Sequence, residues 1–160
     1  MRAGRHRAAG VLIVVALAAI ASGCGGSSAP SRATYGKNVD KVCATLDERV
    51  SAVQKKVPQT TDELVAFADE LQKVLDDGVR RLSEVKRPDG AAGDKADAWI
   101  NELTRQTDQA IKPALADLKK AAQAKDTAAI QRAVKRIQQV DGKRVNQLAR
   151  EAGARSCGAA

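Results

Sequence analysis

The chain is poor in aromatic side chains. Its 160 residues include one Trp, one Tyr and one Phe, although hydrophobic residues make up 44% of the composition. Any buried core must therefore consist mainly of Ala, Val, Leu and Ile. Strands favour aromatic and β-branched residues, whereas alanine and leucine are strong helix formers. The composition favours packed helices over a β-sandwich or a β-barrel.

Histidine and methionine occur once each, as His6 and Met1. From residue 8 onward the chain therefore lacks the base of a Ser-His-Asp or Cys-His site and the histidines of a Glu-x-x-His di-iron site. Zinc sites of the usual kinds need histidines or more cysteines than the three present. No glycine-rich phosphate loop opens a predicted helix. We predict no catalytic residue, no metal site and no cofactor, and an enzyme is the least favoured class.

Residues 1–23 have the pattern of a signal peptide. A start with three arginines is followed by the apolar run VLIVVALAAIA, which covers residues 11–21. A run of this length is typical of a signal-peptide core and is well short of the ~20 residues that span a bilayer. Small residues then form a candidate cleavage motif directly before Cys24, namely Ala21, Ser22 and Gly23.

The four residues Ala21-Ser22-Gly23-Cys24 resemble a bacterial lipobox, and the GGSS that follows resembles a lipoprotein tether. This resemblance implies that the Cys24 thiol receives a diacylglyceryl group and that cleavage then frees the Cys24 amine. The protein would be held at the extracytoplasmic face of the cell membrane. The family often has Leu where this chain has Ala21. The alternative is an ordinary secretory leader that happens to precede a cysteine.

The layout of the whole chain resembles small lipoproteins of actinobacteria, the high-GC Gram-positive bacteria. The features that carry this resemblance are the lipobox, the Gly/Ser tether, an early cysteine in the first helix and a late one near the end. It implies three segments: a signal peptide at 1–23, a lipidated cysteine with a flexible tether at 24–34, and a helical domain at 35–160.

If Cys24 carries lipid, Cys43 and Cys157 are the two cysteines that remain. An exported domain lies in a compartment where disulfides form and persist, so we predict a Cys43–Cys157 bond. Two free thiols are the alternative. A metal pair is disfavoured because two ligands do not make a site.

Apolar residues recur at helical spacing from residue 36 onward. The spacing predicts four helices. The first ends before Pro58, the second opens with a Thr60–Glu63 capping box, the third starts at Asp94 after a loop at 87–93, and the fourth is capped by Asp126. Pro113 lies inside the third helix and should kink it, because proline removes one backbone donor and clashes with the preceding turn.

Four helices joined by short turns predict an all-α fold, an antiparallel up-down-up-down four-helix bundle. In this topology the start of the first helix and the end of the fourth lie at the same end, where Cys43 and Cys157 could meet. A three-helix bundle with an extended coil is the rival architecture.

Charges are numerous but nearly balanced. Of 27 basic residues, Arg2, Arg5 and Arg7 lie in the leader, which leaves 24 basic against 19 acidic residues and a formal charge of +5. This surplus gives no nucleic-acid signal. Several carboxylates stand four residues before a cation, as in Asp69–Lys73, Asp76–Arg80, Asp77–Arg81 and Asp108–Lys112, which is the favourable order on an exposed helix face.

The same balance leaves two interpretations for the dibasic pairs Lys55-Lys56, Arg80-Arg81, Lys119-Lys120, Lys135-Arg136 and Lys143-Arg144. They are either solvated helix faces or, if clustered, a surface for an anionic lipid or envelope polymer.

Trp99 is expected in the core, with the lipid interface as the alternative. A kink at Pro113 can open a gap between helices, so a ligand pocket is sought at Thr107, Ile111 and Pro113.

These patterns lead to two functional hypotheses. The first is a lipid-anchored, extracytoplasmic, non-enzymatic binding or adaptor module, whose partners are the membrane through its anchor and an envelope protein or anionic polymer. The second is a carrier or sensor of a small apolar or anionic ligand held between the helices.

Replacement of Cys24 by Ala should release the protein from membranes, because the variant has no thiol to acylate. Cell fractionation and labelling with an alkyne-tagged fatty acid measure this directly. The matched control is Cys43→Ser combined with Cys157→Ser, which retains Cys24 and should stay labelled and membrane-bound. A Cys24→Ala variant that remains in the membrane fraction would contradict the lipobox interpretation.

Overall fold

Every regular element in the described part of the chain, residues 28–157 of a computed structural model, is helical. The predicted signal peptide, the cleavage motif Ala21–Gly23 and the lipidation site Cys24 lie outside these residues. The elements in chain order are α1 Arg32–Gln54, α2 Thr61–Glu84, α3 Ala91–Gln106, a π-helical turn Thr107–Ile111, α4 Lys112–Gln123, α5 Thr127–Gln138 and α6 Lys143–Ala152.

The predicted all-α, four-helix bundle is confirmed. The third long helix consists of α3, the π-turn and α4, and the fourth consists of α5 and α6. α2 packs against α1 on one side and against α3 and α4 on the other, while α5 packs on α4 and α6 packs on α3.

Two predicted N-caps are confirmed. The Thr60 hydroxyl accepts a hydrogen bond from the Glu63 N–H at 3.2 Å, and the Glu63 carboxylate accepts one from the Thr60 N–H at 3.2 Å. The Asp126 carboxylate accepts one from the Ala129 N–H at 2.9 Å. Each bond satisfies a backbone donor that has no partner within its helix.

Other helix ends differ from the predictions. α1 begins at Arg32, inside the predicted tether, because the Ser31 hydroxyl caps it by accepting from the Thr34 N–H. It ends at Gln54, before the exposed Val57, because the residue before a proline is disfavoured in helical conformation. α3 begins at Ala91 instead of Asp94.

The early start of α3 depends on two glycines. Gly90, its N-cap, has φ +61°, in the region that favours glycine. A Cβ on Gly93 would lie 2.4 Å from the Pro88 carbonyl oxygen. The loop can therefore turn tightly into the helix three residues before the predicted cap.

The fourth helix, predicted as continuous, is broken between Gln138 and Lys143. The Asp141 carboxylate accepts a hydrogen bond from the Lys143 N–H at 2.9 Å. The backbone carbonyl of Asp141 accepts one from Gln106 Nε2 at 2.6 Å. Gly142 follows, and glycine has a low helix propensity. The apolar stripe hides this break because Ile137 and Val145 are eight residues apart, a spacing that would place them on one face of a continuous helix.

The core has two parts. One lies near the start of α1 and is built by α1, the end of α2, α3, α6 and the C-terminal segment; its buried members include Tyr35, Val39, Trp99 and Leu148. The other lies among the start of α2, α4 and α5 and is centred on Ala68, Leu115, Leu118 and Ala133.

The Cys43–Cys157 disulfide is present and joins α1 to the segment after α6, with the two Cα atoms 5.6 Å apart. The bonded cysteines are 114 residues apart in sequence, so the bond closes nearly the whole domain. On the chain-entropy model a loop of that size stabilises a fold by about 4–5 kcal/mol.

Close to the disulfide, the backbones of α1 and the end of α6 almost touch. Gly153 ends α6 with φ +103°, a conformation that glycine adopts at little cost. A Cβ placed on Gly36 would lie 2.1 Å from the Gly153 carbonyl oxygen. Only glycine fits at position 36 without moving this backbone.

Substitution Gly36→Ala should therefore lower the free energy of unfolding by about 1–3 kcal/mol, the usual cost of overpacking a tight contact. Urea denaturation followed by circular dichroism measures it. The matched control is Gly142→Ala, whose new Cβ would have its nearest neighbour 3.8 Å away and should cost less than about 1 kcal/mol. Equal losses in the two variants would contradict the packing argument.

Candidate functional site

A cavity of about 410 Å³ lies between the helices, where the two parts of the core meet. Its volume lies within the range of roughly 300–1,000 Å³ that is usual for small-molecule sites. α1, α2, α3, the π-turn, α6 and the C-terminal segment all contribute to it. Its lining residues are Cys43, Leu46, Asp47, Leu75, Val79, Leu82, Trp99, Leu103, Thr107, Ile111, Val145, Ser156 and Cys157.

The predicted pocket residues have different positions in the structure. Thr107 and Ile111 both line the cavity, and Thr107 is only 3% exposed. Pro113 is exposed and does not line it. The three residues are thus close in sequence, but only two of them face the same space.

Pro113 instead explains the local backbone. In a regular helix its ring would clash with the Gln109 carbonyl, and that carbonyl would lack a donor. The chain forms a π-turn over Thr107–Ile111, in which the Lys112 N–H donates to the Thr107 carbonyl, five residues back. Turns of this kind insert one extra residue into a helix and are frequent at functional sites. The predicted kink takes this form.

The cavity wall is mostly apolar. Leucine, valine and isoleucine side chains form most of it, and the disulfide forms one side. Trp99 also lines it, 1% exposed, and its indole nitrogen is buried without a hydrogen-bond partner in the described part of the chain. The prediction that Trp99 belongs to the core is confirmed, and its alternative position at a lipid interface is wrong.

Polar side chains lie at the exposed edge of the cavity. Asp47 on α1 and Ser156 in the C-terminal segment are both exposed and both line it. A carboxylate at the opening favours a neutral or cationic molecule over an anion. The arrangement can therefore enclose a small apolar molecule and select against negative charge.

The C-terminal side of the cavity is held in place by Asp40. One oxygen of the Asp40 carboxylate accepts hydrogen bonds from the backbone N–H groups of Arg155 and Ser156, each 2.8 Å long. Together with the adjacent disulfide, these bonds fix the segment that closes the cavity. Sequence reasoning missed the role of Asp40, because its partners are 115 and 116 residues away.

The carboxylates follow the predicted i,i+4 pairing only in part. Asp77–Arg81 and Asp108–Lys112 are ion pairs of 2.8 Å, as predicted. The predictions for Asp69 and Asp76 are wrong. Asp69 pairs with Lys119 at 2.8 Å and Asp76 with Lys112 at 2.7 Å, both on neighbouring helices. A cation approaching from the facing helix displaces the local partner.

Each of the dibasic pairs supplies at least one cation to an ion pair. Lys56 pairs with Glu70, Lys119 with Asp69 and Arg136 with Asp117. Arg80 and Arg81 both pair with Asp77, to which Arg49 of α1 also donates. These pairs hold neighbouring helices or turns together.

Asp77 has the most perturbed carboxyl of the described residues. Hydrogen bonds, first from Arg49 and then from Arg80, lower its pKa from 3.8 to about 2. The folded state therefore binds this proton less tightly than the unfolded state does. The contribution of Asp77 to stability is fully present above its unfolded pKa and is lost as the pH falls toward 2.

The free energy of unfolding should therefore fall more steeply between pH 4 and pH 2 in the wild-type protein than in an Asp77→Asn variant. Above pH 4 the wild type should be the more stable of the two, and the difference should close toward pH 2. Urea denaturation across this range measures it. Glu48→Gln, at an exposed position of α1, is the control and should leave the slope unchanged. Parallel curves for wild type and Asp77→Asn would contradict the assignment.

Residues 28–157 contain no group of three or more His, Cys, Asp or Glu side chains that could hold a metal ion. No helix in this range is both long and apolar enough to cross a membrane. Comparison of the chain with protein-family models, with curated proteins and with solved structures finds no match.

Proposed function

We propose that this protein is a lipid-anchored, extracytoplasmic, non-enzymatic binding module of the cell envelope, which carries or senses a small, largely apolar molecule held between its helices. The observation that supports this most directly is the 410 Å³ cavity with its apolar wall. The ligand is neutral or cationic, because the Asp47 carboxylate lies at the opening. This differs from the predicted class of an apolar or anionic ligand, because it retains the apolar ligand and replaces the anionic one.

The surface supports a small ligand better than a protein partner. Protein interfaces need a buried apolar patch at their centre. The large hydrophobic side chains that are exposed in the described part of the chain are Val57, at 67%, and Val134, at 36%. Val57 follows α1 and Val134 lies on α5, so they belong to separate elements.

The proposed anchor also favours an apolar ligand. Cys43, in the cavity wall, lies about 18 Å along α1 from its cap Ser31, at 1.5 Å per residue. Cys43 is the middle residue of α1, so the cavity lies near the middle of the bundle. If Cys24 carries lipid, the end of the bundle that contains the start of α1 is nearest the bilayer, where apolar molecules concentrate.

Trp99 provides a reporter for ligand binding, since it is the only tryptophan of the chain and lines the cavity. The acylated protein in phosphatidylcholine vesicles is titrated with N-phenyl-1-naphthylamine, a neutral apolar dye that absorbs indole emission. Dye in the cavity should quench Trp99. Val79→Phe, which places a ring in the cavity, should weaken this quenching about tenfold, the effect of losing roughly 1.4 kcal/mol of binding.

The matched control is Val134→Phe, the same change at a position outside the cavity lining. It should leave the quenching curve unchanged, and it also corrects for dye dissolved in the bilayer. Circular dichroism of each variant verifies the fold. Equal quenching curves for Val79→Phe and wild type would exclude the cavity as the binding site.

A further inference from the structure

A second concavity, of about 500 Å³, lies between the start of α1 and the end of α6. We call it the arginine cleft; its lining residues are Arg32, Ala33, Arg150, Gly153, Ala154 and Arg155. All the ionisable side chains in this lining are arginines, and within residues 28–157 no carboxylate lines it. The three arginines belong to two segments that are more than a hundred residues apart in sequence.

Several contacts hold the two walls of the arginine cleft together. The Arg32 guanidinium donates to the Arg150 carbonyl oxygen at 3.0 Å. The Arg155 N–H donates to Asp40 at 2.8 Å, and the disulfide fixes Cys157 two residues later. The two backbone bonds to this segment engage one oxygen of the Asp40 carboxylate. The cleft is therefore preformed and positively charged.

The cleft lies at the end of the bundle from which the chain leads back toward Cys24. Lys86, after α2, donates to the Ser28 carbonyl at 2.7 Å and holds Ser28 at this end. Cys24 is four residues before Ser28, a distance of at most about 14 Å for an extended chain. An acylated Cys24 therefore brings the start of α1, and the arginine cleft with it, close to the bilayer surface.

We propose that the arginine cleft binds the phosphodiester headgroup of an anionic phospholipid in the leaflet that holds the anchor, and that this contact sets the orientation of the bundle on the membrane. The proposal rests on the acylation of Cys24. Guanidinium groups present paired N–H donors that match phosphate oxygens. A phosphate between Arg32 and Arg155 would bind the two walls of the cleft at once.

Several basic residues in the described part of the chain have a carboxylate as their partner. Arg80, Lys112 and Arg136 are paired with carboxylates of their own or neighbouring helices. Arg32, in contrast, donates to a carbonyl oxygen, which leaves its positive charge without a neutralising carboxylate at that bond. The cleft thus combines arginines from two segments, a concave shape and, with an acylated Cys24, closeness to the bilayer.

The experiment compares one acylated protein in two kinds of vesicle, phosphatidylcholine alone and phosphatidylcholine with about 30 mol % phosphatidylglycerol, an anionic lipid. Amide hydrogen exchange with mass spectrometry follows residues 150–157 and 31–36. On anionic vesicles, exchange in these segments should slow by about fivefold or more, the factor that one basic residue near an anionic surface is worth. The protection should diminish as salt is raised, because salt screens the attraction.

Two double variants separate the cleft from general charge. Arg32→Gln with Arg155→Gln should lose the lipid-dependent protection. Lys120→Gln with Arg132→Gln removes the same charge at the opposite end of the bundle, near the α4–α5 turn, and should keep it. If both variants keep the protection, or if both lose it, the cleft is not the binding site.

Further arms identify the ligand and the anchor separately. Inorganic phosphate added to neutral vesicles should give no comparable protection; full protection would make a free anion the ligand and overturn the lipid proposal. The mass of the N-terminal peptide reports acylation. An unacylated Cys24 overturns both the anchor and the orientation, whereas an acylated Cys24 with equal exchange on the two vesicles overturns the cleft proposal alone.

Discussion

The junction between the first half of α1 and the segment after α6 is the contact on which the rest of the structure depends. Three kinds of contact form it: the Cys43–Cys157 bond, the close approach of Gly36 to Gly153, and the acceptance of two backbone N–H groups by Asp40. Because it joins the two ends of the domain, it closes the bundle. It also provides one wall of each of the two concave sites, so loss of this junction would remove both at once.

The interior cavity follows from composition and from one backbone irregularity. With few aromatic residues and many alanines, the two parts of the core fill their own centres but not the region between them. The π-turn that accommodates Pro113 lies at that region and places Thr107 and Ile111 along it. The cavity is open to solvent at the edge formed by Asp47 and Ser156, and the disulfide and the ion pairs between helices hold the elements around it.

Electrostatic contacts divide into two groups. Across the middle of the bundle, carboxylates such as Asp76 and Asp77 bind cations of neighbouring helices, and these pairs hold the helices in register. At the end nearest Ser28, the arginines of the cleft face a surface without a lining carboxylate. Three arginines thus lie together at the end of the bundle that the proposed anchor would bring to a membrane.

The sequence by itself determined the helical class, the four long helices, the Thr60 and Asp126 caps and the pairing of the two cysteines, because these depend on local periodicity, local capping and a cysteine count. It also indicated Thr107 and Ile111, since a proline perturbs its own preceding turn. Tertiary structure alone decided the partners of Asp69 and Asp76, the break before Lys143, the cavity residues outside the π-turn and the arginine cleft. Each of these depends on side chains or backbone brought together from distant segments, and helical spacing reports only the direction in which a residue faces, not the group that it meets.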